Sequence, residues 1–242
     1  MHIDVILSVN EARAIDLTHR TVIVIDVLRA TSTIITALHY GASGVIPVET
    51  VSQAKQIAKD KDVLAGERYC KKISGFDAGN SPYEYMSNSI EGKRIVLTTS
   101  NGTRAIQKAL KADYILAGAI INAQATAHAA CKLRKNVALL CSGAQDEFAF
   151  EDGLCAGLII AELQRCMGNS NELTMNDVGY TVHSSYQYYA NRIPEALQQC
   201  SGGKRLCKLG FAKDVEFCAT VNTYSLVPIL TDNHTMKPFI SS

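Results

Sequence analysis

Residues 22–25 read Val-Ile-Val-Ile, apolar on both faces, and Asp26 follows at once. A strand with no polar face is buried on both sides, as in the centre of a parallel sheet covered by helices. Arg29, Thr31, Ser32 and Thr33 come next and lead into a helical pattern. Ligands of open α/β sheets bind at the carboxyl ends of such strands. A carboxylate, a guanidinium and several hydroxyls gathered there suit a metal ion and an anionic substrate. The plainer reading is that Asp26 and Ser32 cap the following helix.

The rest of the chain continues the alternation. Residues 2–9 predict an edge or antiparallel strand, 21–27 the central strand, and 31–40 a helix closed by Gly41. Strands are expected at 44–49, 62–65, 94–98, 114–117 and 137–141, with helices at 51–60 (capped by Thr50), 102–111, 122–135 and 151–167. Alternation of this kind implies right-handed crossovers, so the expected class is α/β, a mostly parallel sheet with helices on both faces. Residues 66–82, rich in Gly, Ser, Asn and Pro, form a long loop of the kind that carries function.

Past residue 168 the texture changes. A turn at 168–171 precedes helical spacing from Val178 to Ile193, a new helix at Pro194, short helices over 203–222 and an apolar strand at 225–230. Residues 169–242 thus read as a smaller helix-rich C-terminal lobe with a returning strand. It would cover an α/β domain of residues 1–168 that carries the site, or form one composite domain with it. Within residues 1–168 there is a faint internal echo: Val24, Thr31, Ile34, Ala37 and Leu38 recur in order and spacing as Val96, Thr103, Ile106, Ala109 and Leu110.

A net charge of +1 gives no reason to expect nucleic acid or an anionic membrane as partner, so an anion must be held by a local cluster. No signal-peptide pattern and no membrane-length apolar run is present. Eight cysteines without a Cys-x-x-Cys pair suit buried thiols in a reducing compartment, so a cytoplasmic protein is expected. The apolar helical C-terminal part offers a possible homodimer surface.

Four polar clusters would share one sheet edge. Asp26, Arg29, Thr31 and Ser32 form the first; Gly66-Glu67-Arg68, continued by Asp77, Asn80 and Ser81, the second. Thr98, Thr99, Ser100, Asn101, Gly102, Thr103 and Arg104 form the third; Cys141-Ser142-Gly143, leading to Asp146, Glu151 and Asp152, the fourth. The third is the best anion site: amides and hydroxyls precede a helix, Gly102 permits close backbone approach, and Arg104 adds a bidentate partner. Alternatively Thr99 or Ser100 only caps that helix. The Gly-x-x-x-x-Gly-Lys phosphate loop is absent. Asp26, Glu67 and Asp152 suit Mg²⁺, a hard cation that shares its shell with water and phosphate. Glu151 reads as a helix N-terminal charge, and the six histidines show no metal-binding pair. Lys71 and Lys72 could assist or be solvated. The Asp-x-Asp-x-Thr signature of haloacid-dehalogenase phosphatases fails at Leu28, where the second aspartate would stand.

The segments Val24 to Ile34, Gly66-Glu67-Arg68, Gly79-Asn80-Ser81-Pro82, Thr98 to Arg104, Cys141-Ser142-Gly143 and Glu151-Asp152-Gly153 together resemble the 2-phosphosulfolactate phosphatase family, over roughly residues 2–235. The resemblance implies an α/β enzyme that uses Mg²⁺ to release phosphate from 2-phospho-3-sulfolactate on the route to coenzyme M. On that reading Asp26, Glu67 and Asp152 hold Mg²⁺ directly or through water, and Asp26, Arg29 and Arg104 are catalytic. Thr31, Ser32, Arg68, Asn80, Ser81, Ser100, Asn101, Gly102, Thr103, Ser142 and Gly143 bind a small anionic substrate. Asp26 suits either metal ligand or nucleophile, and three carboxylates around one cation favour the ligand. Another 2-phospho acid as substrate, a non-catalytic binder of such acids, or a lyase or isomerase would use many of the same groups.

Overall fold

The computed structural model describes residues 1–168 and 173–240; all but the first position of the turn expected at 168–171 lies outside the described residues. Strand β2 (Thr21–Ile25) is buried along its whole length between β7 (Tyr114–Gly118) and β8 (Val137–Cys141), parallel to both. Beyond β8 come β1 (His2–Ile6) and the two-residue β9 (Thr174–Met175), also parallel. Both alternatives expected for the first strand are therefore wrong: β1 is parallel to its two neighbours and lies one place in from the edge. A second parallel set joins β3 (Gly44–Pro47), β6 (Arg94–Thr98) and β4 (Val63–Arg68), with β5 (Lys71–Lys72) folded back on β4. Among the described residues these nine strands belong to one sheet of eleven.

The join between the two sets was not foreseen. The returning strand β10 (Pro228–Leu230) pairs with a further strand, β11 (Met236–Pro238), and this hairpin sits in the middle of the sheet. It is antiparallel to β7 through Ile229 and Leu116 and to β3 through Met236 and Val45. Three successive antiparallel pairings set the two halves in opposite senses, so the sheet must curl for their carboxyl ends to meet.

Two helices lie between the halves and carry the chain across. Helix α2 (Ala30–His39) leads from β2 to β3, and α4 (Gly102–Lys108) leads from β6 back to β7. Both touch strands of each half. Residues 30–38 of α2 are all buried although four carry hydroxyls. Burial is tolerated because each hydroxyl donates to a carbonyl: Thr31 to Asp26, Ser32 to Val27, Thr33 to Asn80 and Thr36 to Ser32. Apolar residues of α2 and α4 (Ile34, Ala37, Ile106) pack with Val22 and Val24 of one half and Val45, Ile95 and Leu97 of the other.

The outer faces are covered separately. The short helix α1 (Ala14–Leu17) precedes β2. Helix α3 (Val51–Ile57), opened by a capping box of Thr50 and Gln53, packs Ala54 on Ile46 and Val96. Helices α5 (Ala123–Leu133) and α6 (Phe150–Cys166) cover the other half, against Ile23, Ile25 and Leu139. Helix α7 (Asp177–Tyr189) crosses α6 where Gly157 leaves no room for a side chain against the Val182 carbonyl. After it come α8 (Ile193–Gln199), which opens on Pro194, then α9 (Ser201–Lys208) and α10 (Ala212–Cys218). Val182, Leu197, Leu206 and Val215 from these helices join the same core as Ile23 and Leu158. No helix among the described residues is long and apolar enough to cross a membrane.

Candidate active site

A cleft of about 280 Å³ opens where the strand ends of the two halves meet. That volume is near the lower end for small-molecule sites, roughly 300–1,000 Å³. Its lining draws on every expected cluster: Asp26 and Arg29, Glu67 and Asn80, Ser100, Asn101 and Arg104, then Ser142, Gly143, Asp146, Glu151 and Asp152.

The carboxylates are fastened by the backbone around them. Asp26 accepts from the Ala30 amide at 3.0 Å. Glu67 accepts from Ser100 and Cys70 amides, each at 2.7 Å, and so ties β4 to the turn after β6. Asp152, in the first turn of α6, accepts from the Val27 amide at 2.9 Å and from the Ser142 hydroxyl and Gly143 amide at 3.1 and 3.2 Å. It thereby joins the ends of β2 and β8. Among the described residues no three His, Cys, Asp or Glu side chains form a ready-made metal cage, so the expected triad of Asp26, Glu67 and Asp152 is not one. Their oxygens are spent first on stapling strand ends.

Electrostatically this wall is overloaded with negative charge. Burial pushes the Asp26 carboxyl up to about 6, and the nearby Glu67 and Glu151 charges add to it. Asp152 is raised well above the usual range by burial and by Asp26 and Glu151. Glu151, buried in the same wall, is raised by desolvation. Asn80 completes the set: its side-chain oxygen is buried with no hydrogen-bond partner.

Two arginines of the cleft already have partners. Arg29 pairs with Asp214 of α10, both buried, donates to the Cys70 carbonyl at 3.2 Å and stacks 4.4 Å from the Phe211 ring centroid. Arg104 pairs with Asp146 at 2.7 Å and also donates to Asn10. The floor of the cleft between Asp26 and α4 is tight. A Cβ on Gly102 would lie 2.5 Å from Asp26 Oδ2 and 2.5 Å from Ala30 Cβ. The close approach foreseen at Gly102 is therefore made by Asp26 and α2.

Several expected substrate contacts face elsewhere. Thr31 and Thr103 are fully buried clamps. The Thr31 hydroxyl accepts from the Asp26 amide and donates to the Asp26 carbonyl; Thr103 does the same to Thr99. Ser32 serves Val27, as described. Thr99 also caps α4 by accepting from the Thr103 amide at 3.2 Å, and the Ser100 amide serves Glu67, which leaves fewer amides for an anion than expected. Ser81 donates to Asp214 at 2.9 Å and so supports the partner of Arg29. Arg68 turns away from the cleft to the Glu67 and Glu49 carbonyls and the Thr98 hydroxyl. Lys71 and Lys72 are exposed.

Sequence reasoning missed Asp214 and Arg205, and it gave Glu151 no role in the site. The Lys204-Arg205 pair in a short helix was a usable signal for Arg205. Nothing local marks Asp214, whose role comes from a contact across 185 positions. The two-residue turn Tyr69-Cys70, left-handed at both positions, was equally hidden, and it overhangs the cleft.

Comparison with known proteins identifies the family. Residues 6–233 match the family model described as 2-phosphosulpholactate phosphatase. A probable 2-phosphosulfolactate phosphatase of Thermotoga maritima is 42% identical over 88% of this chain and 90% of its own. One from Clostridium tetani is 38% identical over 94% of this chain and 97% of its own, and one from Symbiobacterium thermophilum is 38% identical over 93% and 97%. A family match of this extent, running through every segment that lines the cleft between β2 and α9, places the chain in the 2-phosphosulfolactate phosphatase family.

Proposed function

We propose that this chain is a Mg²⁺-dependent phosphatase that hydrolyses 2-phospho-3-sulfolactate to 3-sulfolactate and phosphate, the coenzyme M type of reaction. The observation that carries the reading is a cleft whose one wall holds four buried carboxylates, Asp26, Glu67, Glu151 and Asp152, beside three arginines. These carboxylates accept hydrogen bonds but none of them is ion-paired among the described residues, and four such charges on one wall favour a cation. The donor set fits magnesium: carboxylate oxygens, and the unpartnered Asn80 oxygen. A full protein cage is not required, because Mg²⁺ keeps several waters and shares phosphate oxygens. Asp26 and Asp152 would hold the ion, with Glu67 acting through water. When bound, it supplies charge neutralisation for phosphoryl oxygens as the leaving alkoxide forms.

The protein's own groups do the positioning. Arg29 is fixed by Asp214 and Phe211, so its guanidinium needs no reordering when a phosphoryl group arrives. Arg104 also lines the cleft and can exchange Asp146, which is exposed, for substrate oxygens. Clamps at Thr31 and Thr103 hold the two turns from which Asp26, Ser100 and Asn101 project. The eight unpaired cysteines suit a reducing compartment such as the cytoplasm.

Phosphate release from phosphosulfolactate, 2-phospholactate and an aryl phosphate, each with Mg²⁺ and with EDTA, tests the proposal. Metal-dependent release favouring the sulfonated substrate is expected. Release that is indifferent to EDTA would remove the metal, and no release from any substrate would remove the phosphatase. A covalent aspartyl phosphate trapped by hydroxylamine would reassign Asp26 from ligand to nucleophile.

A further inference from the structure

The cleft contains a third arginine that the mechanism has not used. Arg205 springs from α9 and lines the cleft with Arg29 and Arg104. Unlike them, it forms no ion pair among the described residues. Arg205 also lines a second, more open cavity of about 620 Å³ with Tyr69, Lys71, Lys204 and Lys208. Among the described residues, no acidic one borders that second cavity. A chain of net charge +1 thus separates its charges locally, with four buried carboxylates in the cleft and a basic rim on α9.

The helix that carries Arg205 is held in place. The Gly203 amide donates to the Cys200 sulfur at 3.2 Å, and Leu206 is buried in the main core. At Gly202 the helix start packs against the Glu151 carboxylate so closely that an added Cβ would displace that side chain. The base of Arg205 is therefore fixed beside the carboxylate wall, while its guanidinium stands between the two cavities. Surface lysines such as Lys204 and Lys208 are usually just solvated, but a half-buried arginine without a counter-ion at the mouth of a cleft is a vacancy for an anion.

Resting on the phosphatase reading above, we infer that Arg205 receives the substrate's sulfonate and is the residue that selects it. The phosphoryl group belongs at the carboxylate wall, where a cation can bridge it. A second, permanently charged group on the same small molecule is repelled by that wall and finds its partner at Arg205. The guanidinium fork offers two parallel donors to sulfonate oxygens. Lys71, Lys204 and Lys208 add a positive potential that raises the local concentration of a substrate carrying phosphate, carboxylate and sulfonate charges.

The test compares Arg205→Gln and Arg205→Lys with the wild type on phosphosulfolactate and on 2-phospholactate, which lacks the sulfonate. The ratio of kcat/KM for the two substrates should fall about 10- to 100-fold in R205Q, the loss expected for one hydrogen-bonded ion contact. The fall should lie mainly in KM, with R205K between R205Q and wild type. An unchanged ratio, with both substrates slowed equally, overturns the assignment even if the phosphatase stands. Calorimetric titration of 3-sulfolactate gives a second readout that needs no turnover. Weaker binding to R205Q supports the sulfonate site even if no substrate releases phosphate, and equal binding to both proteins overturns it.

Discussion

Replacing Gly102 by alanine tests how the site is built. The added Cβ would sit 2.5 Å from Ala30 Cβ, 2.5 Å from Asp26 Oδ2 and 3.0 Å from Asp26 Cβ. Ordinary carbon contacts are about 3.5–4.0 Å, so roughly 1 Å of movement is required. Neither neighbour yields easily: Ala30 is fully buried, and its amide is bonded to the Asp26 carboxylate. Overpacking of this kind costs about 1–3 kcal/mol, less up to about 1 kcal/mol of gain in helix propensity. A net loss of about 0–3 kcal/mol corresponds to a Tm lower by up to about 12 °C in a chain of this size. A displacement near 1 Å at the reacting groups can lower kcat about 100-fold. Thermal melts and phosphate-release kinetics on G102A should show both effects, with the loss of stability already present in ligand-free protein. If instead KM rose while Tm and kcat stayed at wild-type values, Gly102 would serve approach to the ligand, and the packing of α4 on Asp26 would be refuted.

Asp214→Ala leaves Arg29 buried and unpaired, and should cost about 3–5 kcal/mol in a denaturant melt. The double variant Arg29→Met with Asp214→Leu should recover most of that stability but not the activity, and recovered activity would exclude Arg29 from the chemistry. Asp26 has a folded pKa raised to about 6 from 3.8, so its protonated form favours the native state. Its contribution is complete below pH 3.8 and is lost as pH rises through about 6, worth about 3 kcal/mol in metal-free protein. Denaturant midpoints with EDTA should therefore fall more from pH 4.5 to pH 7 in wild type than in Asp26→Asn; equal slopes would contradict the shift. Thr31→Val removes both bonds to the Asp26 backbone and should lower stability by about 1–3 kcal/mol together with kcat, whereas Thr31→Ser should stay near wild type. A Thr31→Val enzyme that changed only KM would return Thr31 to the substrate.

What could be read before the fold was known follows the range of the forces involved. Helix starts are set within a turn or two, so the Thr50 cap, the stop at Gly41 with φ 90° and the opening of α8 at Pro194 were legible. The alternation of apolar strands and helices was legible for the same reason. Residue type alone does not say which way a hydroxyl points. Thr31, Ser32 and Thr103 looked like ligand groups, but a fully buried helix needs them to satisfy carbonyls. Of the central hairpin only the returning strand β10 was legible; β11 was not, because it has three residues and meets β3 through a single residue pair. Asp214 and Arg205 enter the site only once α9 and α10 fold over the cleft.

The sequence echo now has a physical content. Thr31 and Thr103 occupy matching places after β2 and β6, and each hydroxyl bridges the amide and carbonyl of one residue at the start of its turn. The first clamp starts at Asp26 and spans five residues; the second starts at Thr99 and spans four. Each half-sheet thus contributes one clamped turn, and the helices after those turns carry the chain into the opposite half. The cleft lies where the two turns face each other, with Gly102 of one against Asp26 of the other. Glu67 and Asp152 each fasten two segments at this junction by accepting their amides. The groups that would bind a cation are therefore the same groups that hold the strand ends together. Charge repulsion among them falls on the fold itself, so a cation that relieves it should stabilise the whole protein as well as the site.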